Sequence, residues 1–317
     1  MFPKVAIIIL NWNNASDTLS CLASLYWQDY PNSEIVVVDN GSSDGSVGEL
    51  RSAPYKFELL ELESNLGYSE GNNAGIRYAL DKGAEYVLIL NNDTLVAPSM
   101  LYELVQFAES RPQAGIVGPI MYYLDSRETI FAAGSFIDWA KGLTWHRGMG
   151  VPAEAYSVLE QPEAVDFIPG CGLLVRRDLV QRAGFLDADY YLNYEDVEWA
   201  VRTRQFGFEV WLVPQATLWH GVSATLGLTS PANAYYLTRN ALRFFWKNAP
   251  PHIRWLSVSR ILFRTLRTVL AWTVWQRYRG ISFQQRRKAK LLALRDFFLG
   301  RSGQMEPDVA ARVCPDQ

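Results

Sequence analysis

Two acidic clusters contain the residue types that could do chemistry. Asn91, Asn92 and Asp93 follow the apolar run YVLIL, and Glu195 and Asp196 stand together farther along the chain. A carboxylate beside carboxamides at a strand end suits a hard cation such as Mg²⁺ or Mn²⁺. In the second cluster, the proximity of Glu195 and Asp196 could raise the pKa of one carboxylate, which could then act as a general base. The plainer interpretations are an Asx turn and acidic capping of a helix start.

His220 is a third candidate, because it stands in TLWHGVS, after an apolar segment, and is one of only three histidines in the chain. A single histidine usually has a structural role. Its functional role would be that of a metal ligand or a partner of a phosphate group.

The elements that must position these residues alternate regularly over the first hundred residues. Apolar runs rich in β-branched residues occur at 4–11, 34–40, 57–63 and 85–91, and helical patterns occur at 16–28 and 70–82. Strands that are apolar on both faces and separated by helices indicate βαβ units and a parallel sheet. The crossovers should be right-handed, with helices on both faces of the sheet.

Polar residues follow each of these four predicted strands. The clusters are 11–14, 39–46, 65–73 and 91–93. Each one alone is explained by turn formation, since Asn, Asp, Gly and Ser are the usual turn residues. Because ligands of such sheets bind at the carboxyl ends of the strands, four clusters in succession predict one shared binding site.

The chain after residue 97 is less regular. We predict a helix at 98–112, strands and turns at 116–123 and 128–138, a mobile loop at 140–165, a glycine-rich turn with a strand and a helix at 166–187, and an acid-led helix followed by a strand at 190–214. The three cysteines lie far apart, which argues against disulfides and a zinc site and fits a reducing cytoplasm. The N-terminal apolar run VAIIIL is too short for a signal peptide.

The charge is divided unevenly between the two ends of the chain. The net charge is −3, with −15 over residues 1–238 and +12 over 239–317. Arg260, Arg264 and Arg267 share one helical face in a segment rich in Trp and Phe, which predicts a helix on an anionic membrane surface. Packing on the acidic part of the chain and nucleic-acid binding are the alternatives, although no nucleic-acid motif accompanies the charge.

The longest uncharged run within 255–280 has nine residues, whereas a spanning helix needs about 20. We therefore expect no transmembrane helix in this segment. Residues 302–317 are expected to be disordered.

Six segments in this order, DNGSSDGS, NLGYSEGNN, LNND, PGCGLLVRR, FLDADYYLNYEDVEWAVR and LWH, resemble the inverting family 2 glycosyltransferases of the GT-A fold, above all bacterial rhamnosyltransferases of cell-surface polysaccharide assembly. The resemblance covers roughly residues 3–250. It implies an α/β GT-A domain over 1–238 with a mostly parallel central sheet. Residues 1–97 would form its nucleotide-binding half and 98–238 its acceptor half, followed by a basic helical membrane-associating region at 239–301.

The resemblance also implies roles for residues around the donor. Asp39 would hydrogen-bond the nucleobase, and the backbone near Asn11 would line the base pocket. Three further residues would surround the nucleotide and the donor sugar, namely Asn65, Gly67 and Asn72. The turn that lets the backbone approach the donor sugar would be Gly170-Cys171-Gly172.

For the chemistry, residues 91–93 match the DxD metal motif of the family. Asn91 replaces the first acid, so binding of Mg²⁺ or Mn²⁺ would rest mainly on Asp93, with His220 as the second metal contact. Asn91 and Asn92 would contact the nucleotide and the donor. Asp196 matches the catalytic base. Glu195 would contact the acceptor or orient the base.

The implied reaction moves a sugar, with inversion, from a nucleotide-diphospho-sugar to a hydroxyl of a glycan or polyprenyl-linked acceptor. The expected sugar is rhamnose from dTDP-rhamnose, and the expected location is the inner face of the plasma membrane, with no nucleic-acid partner. The alternatives are a UDP-sugar donor such as galactofuranose or N-acetylhexosamine, a nucleotidyltransferase, and a non-catalytic sugar-nucleotide-binding module. A nucleotidyltransferase usually carries a basic glycine-rich loop after its first strand, which the segment NWNN does not supply.

Overall fold

A computed structural model describes residues 2–155, 160–221 and 229–313. Its strands are β1 (Val5–Asn11), β2 (Ser33–Asp39), β3 (Glu58–Glu61), β4 (Tyr86–Asn91), β5 (Thr94–Val96), β6 (Ala114–Tyr123), β7 (Ile130–Ala132), β8 (Ser135–Asp138), β9 (Leu143–His146), β10 (Glu163–Ala164), β11 (Gly172–Arg176) and β12 (Glu209–His220). Its helices are α1 (Ala15–Leu25), α2 (Ser46–Arg51), α3 (Gly67–Asp81), α4 (Met100–Ser110), α5 (Arg177–Ala183), α6 (Glu195–Gln205), α7 (Pro231–Asn248), α8 (Pro251–Val274), α9 (Ile281–Phe298) and α10 (Pro307–Val313).

The first four strands form the parallel sheet that the sequence predicts. β1 lies between β2 and β4, β3 pairs with β2, and all three pairings are parallel. β1 and β4 are buried along almost their whole length, which explains why they are apolar on both faces. The polar ends of β1 and β4 therefore lie side by side, with Leu10 opposite Asn91.

The second half of the chain extends the same sheet. β11 runs antiparallel between β4 and β6, and β12 runs parallel to β6. The architecture is a mixed α/β fold with a mostly parallel central sheet and a helical C-terminal region, as the sequence predicts. β5 pairs with the end of β12, with Thr94 opposite His220.

The predicted mobile loop at 140–165 is wrong over part of its length. Leu143–His146 form β9, which pairs with β8 in a small hairpin, and Glu163–Ala164 form β10 against β12. The sequence does not predict these strands because they are very short and largely solvent-exposed. They therefore show little of the apolar alternation that is typical of a strand. Residues 156–159 of this prediction lie outside the described residues.

The C-terminal helices are partly integrated into the core. α7 crosses the predicted domain boundary at residue 238, and its Leu242, Phe244 and Phe245 belong to the main hydrophobic core. The predicted disorder of 302–317 is wrong for residues 307–313, which form α10 and bury Val309 and Val313 beside α7 and α9. Two buried valines favour docking over solvation. Residues 314–317 lie outside the described part.

α8 carries the predicted arginine face, but two of its arginines contact the protein. Arg260 donates to the carbonyl oxygen of Ala140 (3.0 Å), and Arg264 donates to those of Lys141 (2.6 Å) and Gly142 (2.5 Å). Large apolar side chains on the same helix remain exposed, including Trp255 (70%), Phe263 (65%), Leu266 (52%), Leu270 (62%) and Val274 (61%). None of the helices in the described ranges is long and apolar enough to cross a bilayer.

Candidate active site

A cavity of about 750 Å³ lies at the carboxyl ends of β1 and β4. Its lining includes most of the residues singled out from the sequence, namely Asn65, Gly67, Asn91, Asn92, Asp93, Gly170, Cys171, Glu195, Asp196 and His220. Four others are not among the described residues that line it, namely Asn11, Asp39, Asn72 and Gly172. The size suits a small-molecule ligand, and the position is the one expected for this class of sheet.

Asp93 and His220 meet because β5 pairs with β12. Asp93 follows β4 and immediately precedes β5, whose Thr94 lies opposite His220 at the end of β12. His220 Nε2 lies 3.2 Å from Asp93 Oδ1 and 3.3 Å from Asn91 Nδ2. Both side chains of the acid–histidine pair are buried. Residues more than one hundred positions apart thus converge on one point of the cavity wall.

This pair fits a divalent cation that takes its remaining ligands from a substrate. A carboxylate oxygen and an imidazole nitrogen at one point are suitable donors for Mn²⁺ or Mg²⁺, which commonly use one or two carboxylates plus substrate phosphates. Among the described residues, no group of three or more His, Cys, Asp or Glu side chains could hold a metal without such help. The donor set is therefore incomplete unless a ligand with oxygen donors completes it.

The environment of His220 favours its protonated form when no cation is bound. Burial lowers the pKa of the imidazole, but Cys171 and Asp93 outweigh burial and raise that pKa to about 10. The ring also packs edge-on against Phe131, with centroids 5.2 Å apart. A cation that binds His220 Nε2 would have to displace this proton.

The two carboxylates at the start of α6 have different surroundings. Asp196 Oδ2 accepts from the backbone N–H of Gly170 (2.9 Å), and Asp196 Oδ1 accepts from that of Val197 (2.7 Å). Glu195 is 5% exposed, and its Oε2 has no hydrogen-bond partner among the described residues. Asp196 is thus held in a fixed orientation, whereas Glu195 presents an unpartnered oxygen.

Burial disfavours the charge of both acids. It raises the pKa of Glu195 well above the usual range, and the neighbouring Asp196 raises it further. Burial also raises the pKa of Asp196, although the N–H groups of Gly170 and Val197 oppose this shift. A carboxylate pair with raised pKa values can accept a proton from a bound hydroxyl, as general-base catalysis requires.

Asn11 and Asp39 form a hydrogen bond with each other, and neither is among the described residues that line the cavity. Asn11 Nδ2 donates to Asp39 Oδ1 (2.7 Å), and Asp39 Oδ2 accepts from the backbone N–H of Ser42 (2.9 Å). Thr18 Oγ1 donates to Asn11 Oδ1 (2.7 Å). These buried bonds tie together the ends of β1 and β2. A contact between Asp39 and a nucleobase stays a prediction.

Asn72 and Gly172 also serve local packing. Asn72 is fully buried on α3 and donates to the carbonyl oxygen of Tyr68 (2.9 Å). A Cβ at Gly172 would lie 2.6 Å from a methyl group of Leu218, so glycine there leaves room for this side chain. At Gly170, a Cβ would lie 2.7 Å from the hydroxyl of Tyr68, which donates to the carbonyl oxygen of Gly170 itself (2.6 Å).

Sequence reasoning missed several residues of the lining. Asn40 braces the turn that carries two predicted residues, since its Nδ2 donates to Asn65 Oδ1 (3.1 Å) and to the carbonyl oxygen of Gly67 (3.1 Å). Asn40 was visible as part of the cluster after β2. Tyr191 and Tyr236, whose rings stack with centroids 5.1 Å apart, carry no such signal.

The C-terminal segment supplies part of the cavity wall. Gln304, Met305, Pro307, Ala310 and Ala311 all line the cavity. The segment is fastened by Met305, whose backbone N–H donates to the hydroxyl of Tyr236 (3.0 Å). Its small and apolar residues form no chemical pattern, so only the fold reveals this contribution.

Two rhamnosyltransferases are similar in sequence to this chain over most of its length. The chain is 25% identical over 280 residues to the dTDP-rhamnosyl transferase RfbF of Shigella flexneri, covering 85% of this chain and 88% of the relative. It is 27% identical over 266 residues to the N-acetylglucosaminyl-diphospho-decaprenol L-rhamnosyltransferase of Mycobacterium tuberculosis, covering 77% and 86%.

Solved structures with low sequence identity share the fold. The mannosyltransferase PcManGT of Pyrobaculum calidifontis, in complex with GDP-Man and Mn²⁺, matches with a TM-score of 0.60 and 19% identity, covering 95% of this chain and 88% of that one. TarS 1–349 of S. aureus in complex with UDP-GlcNAc matches with a TM-score of 0.55 and 18% identity, covering 98% and 84%. The sequence model of glycosyl transferase family 2 matches residues 6–184, more than half of the chain, and the chain therefore belongs to that family.

Proposed function

We propose that this chain is an inverting, metal-dependent glycosyltransferase that moves rhamnose from dTDP-rhamnose to a hydroxyl of a glycan or polyprenyl-linked acceptor. One observation carries the proposal: the Asp93–His220 pair and the Glu195–Asp196 pair line the same cavity. The first pair suits the diphosphate of a sugar nucleotide with its cation. The second suits the proton of an attacking hydroxyl.

The geometry divides the work between these two pairs. In an inverting displacement, the acceptor hydroxyl attacks the anomeric carbon from the side opposite the leaving diphosphate, so one base is sufficient and no carboxylate nucleophile is needed. Asp196, fixed by the N–H of Gly170, takes the proton as the new bond forms. Burial and the charge of Asp196 raise the pKa of Glu195 and favour its neutral form, which leaves Asp196 as the member of the pair that ionises first and can accept the proton. General-base catalysis of this kind typically contributes about 10²–10⁴-fold.

A divalent cation held by Asp93 and His220 would neutralise charge on the leaving diphosphate. The Asn91 carboxamide lies beside His220, with Nδ2 3.3 Å from Nε2, while Asn92 is anchored through its donation to Thr18 Oγ1 (3.1 Å). Gly170 and Cys171 bring backbone to the cavity, where a side chain larger than glycine at 170 would meet Tyr68.

The rhamnosyl donor is supported by the names of the two relatives above. The solved neighbours hold GDP-Man and UDP-GlcNAc, so the fold itself does not restrict the nucleotide. A UDP-sugar, with galactofuranose or an N-acetylhexosamine, is the second candidate donor. A panel of dTDP-rhamnose, UDP-sugars and GDP-mannose, scored by thermal stabilisation in Mn²⁺, separates these donors because the preferred ligand stabilises most.

Turnover decides between the proposed reaction and its rivals. We expect the chain to release dTDP from dTDP-rhamnose in the presence of Mn²⁺ and a glycan acceptor. Asp196→Ala should lower kcat by about 10²–10⁴-fold while retaining nucleotide binding. Release of pyrophosphate would instead indicate a nucleotidyltransferase, and binding without turnover in the wild-type chain would indicate a non-catalytic module.

Metal dependence has its own test. Asp93→Ala should abolish the activity that Mn²⁺ supports, because Asp93 is the only carboxylate of the Asn91–Asp93 turn. Asp81→Ala, at an exposed position at the end of α3, is the matched control. Wild-type rates in Asp93→Ala at saturating Mn²⁺, or full activity of the wild-type chain in EDTA, would contradict the proposal.

We also propose that α8 binds the cytoplasmic face of the membrane. Trp255, Phe263, Leu266, Leu270 and Val274 recur at helical spacing and are exposed, so they form one apolar stripe. Arg267 lies exposed on the same helix and would meet anionic head groups. Such docking would bring the cavity to a polyprenyl-linked acceptor.

A further inference from the structure

A strained turn precedes the carboxylate pair. Tyr191 (φ 62°), Asn193 (φ 67°) and Tyr194 (φ 75°) all have a positive φ, which bulky residues rarely adopt. Tyr194 is the residue before α6, and the helix begins with Glu195 and Asp196. Strain of this kind persists only where the surroundings hold the backbone in place, and it is concentrated at functional sites.

Asn240 on α7 holds this turn from one side. Its side chain is fully buried, and Nδ2 donates to the carbonyl oxygens of Tyr190 (2.7 Å), Leu192 (2.8 Å) and Asn193 (3.0 Å). Arg239 Nε donates to Asn240 Oδ1 (3.0 Å), which fixes the end of the amide that faces the turn. The two N–H groups of one amide are therefore shared among three carbonyl oxygens of this turn, the first of which belongs to the last residue of a short 3-10 helix.

α3 holds the turn from the other side. The backbone N–H groups of Tyr68 (2.7 Å) and Ser69 (3.3 Å), at the start of α3, donate to the carbonyl oxygen of Tyr191. Asn193 Nδ2 donates to Asn233 Oδ1 on α7 (3.0 Å). The turn is thus suspended between α3 and α7, and its conformation fixes where α6 begins.

The start of α6 in turn fixes the Glu195–Asp196 pair. The bond from Gly170 N–H to Asp196 Oδ2 (2.9 Å) requires the first turn of α6 to stay in register with the loop before β11. A relaxed turn would shift this register, and misplacement of a catalytic group by about 1 Å can cost about 10²-fold in rate.

We propose that Asn240 is a positioning residue, which sets the orientation of the Glu195–Asp196 pair by holding the strained turn at 190–194. This inference rests on the proposed role of that pair as the proton acceptor. Asn240 does not line the cavity among the described residues, so it would act through the turn and not through contact with substrate.

Asn240→Asp tests the proposal, because it keeps the shape of the side chain and removes both N–H donors. Thr238→Val is the matched control: Thr238 is buried on the same helix and donates to the carbonyl oxygen of Ala234 (2.7 Å) in α7 itself. We expect kcat of Asn240→Asp to fall about 10–100-fold, with the affinity for dTDP retained within about threefold. The acid limb of its kcat–pH profile should also move, since the ionisation of the pair depends on its placement.

Three results would overturn the proposal. They are wild-type kcat in Asn240→Asp, a loss of kcat no larger than that of Thr238→Val, and a loss of dTDP affinity in proportion to kcat. If Asn240→Asp does not fold, Asn240→Ser carries the same test without adding a buried charge. Failure of the proposed function is distinct, because the wild-type chain itself would then show no release of dTDP.

Discussion

At the scale of single residues, the main departure from the expected metal motif is Asn91. Its carboxamide lies 3.3 Å from His220 Nε2, so residue 91 places a neutral amide beside the histidine where an aspartate would add a second negative charge. Asp93 then supplies the only carboxylate of the turn. A site with one carboxylate leaves more of the cation's charge for the substrate to neutralise, and it binds the free cation less tightly than a site with two.

Asn91→Asp should therefore strengthen metal binding. We expect the Mn²⁺ concentration for half-maximal activity to fall by roughly tenfold, because ligand charge tunes the affinity for divalent cations. The same variant should gain more thermal stability from Mn²⁺ than the wild type does, because tighter binding to the folded state raises the unfolding temperature by mass action. Activity titrations with Mn²⁺ and thermal unfolding with and without EDTA measure both effects. Unchanged Mn²⁺ dependence would show that residue 91 does not face the cation.

Glu195→Gln should stabilise the protein at neutral pH while it lowers activity. Burial raises the pKa of Glu195 in the folded state, so the folded chain holds a proton that the unfolded chain releases, and stability falls as pH rises above the ordinary carboxyl range. Gln has no carboxyl proton and therefore removes this pH-dependent cost, which is about 1.4 kcal/mol for each pKa unit. Denaturant unfolding should show the gain at pH 8 and a smaller one near pH 4. A constant difference across this range would contradict the assigned shift.

At the scale of elements, close contact between α3 and the turn before α6 depends on Gly67. Gly67 opens α3 with φ +80°, and a Cβ there would overlap the ring of Tyr191. The same turn receives the N–H groups of Tyr68 and Ser69. The start of α3 therefore serves two purposes: it lines the cavity, and it seats the turn that carries the carboxylates.

Gly67→Ala should cost more stability than Gly83→Ala, although both glycines have a similar backbone conformation. Gly83 has φ +86° with open space around the position of a Cβ, so Ala there meets only the left-handed backbone penalty of about 1–2 kcal/mol. At Gly67 the overlap with Tyr191 adds about 1–3 kcal/mol and should also lower kcat. Chemical denaturation and steady-state rates compare the pair. Equal destabilisation with wild-type kcat in both would exclude the contact as a determinant of the site.

At the scale of the whole molecule, the basic C-terminal region divides into buried and exposed parts. α9 buries Ala289 and Ala293 against α7, so it belongs to the folded body. α8 turns Arg264 toward the carbonyl groups of Lys141 and Gly142 and leaves its apolar stripe exposed. Deletion of 252–301 would consequently remove packed helices along with the surface, and substitutions on α8 give the cleaner test of membrane binding.

The triple variant Trp255→Ser, Phe263→Ser, Leu270→Ser should lose binding to vesicles of phosphatidylglycerol and phosphatidylcholine. Burial of one large apolar side chain is worth about 1.5–3 kcal/mol, so we expect more than a tenfold drop in the fraction that sediments with vesicles. Tyr26→Ser, Trp27→Ser, at two exposed aromatics on the C-terminal side of α1, is the control for loss of exposed apolar area. Equal sedimentation of wild type and the triple variant would refute membrane docking through α8.

The sequence by itself determined the local features of this protein. Strands that are apolar on both faces, and turns rich in Asn, Asp and Gly, depend on short-range preferences, so the parallel sheet and the polar edge were predictable. The order of motifs also identified the family. The sequence did not predict the short strands inside 140–165 or the helix at 307–313. Their local patterns are weak, and their stability comes from contacts with distant segments.

Only the tertiary structure decided which polar residues share the cavity. Pairing of β5 with β12 brings His220 to Asp93, whereas Asn11 and Asp39 satisfy each other inside the fold. The hydrogen bonds from Asn240 to the turn before α6 likewise join residues far apart in the chain, and so does the contribution of the C-terminal segment to the cavity lining. The physical reason is the same in each case: hydrogen bonds and buried contacts between distant segments leave no local pattern in the sequence.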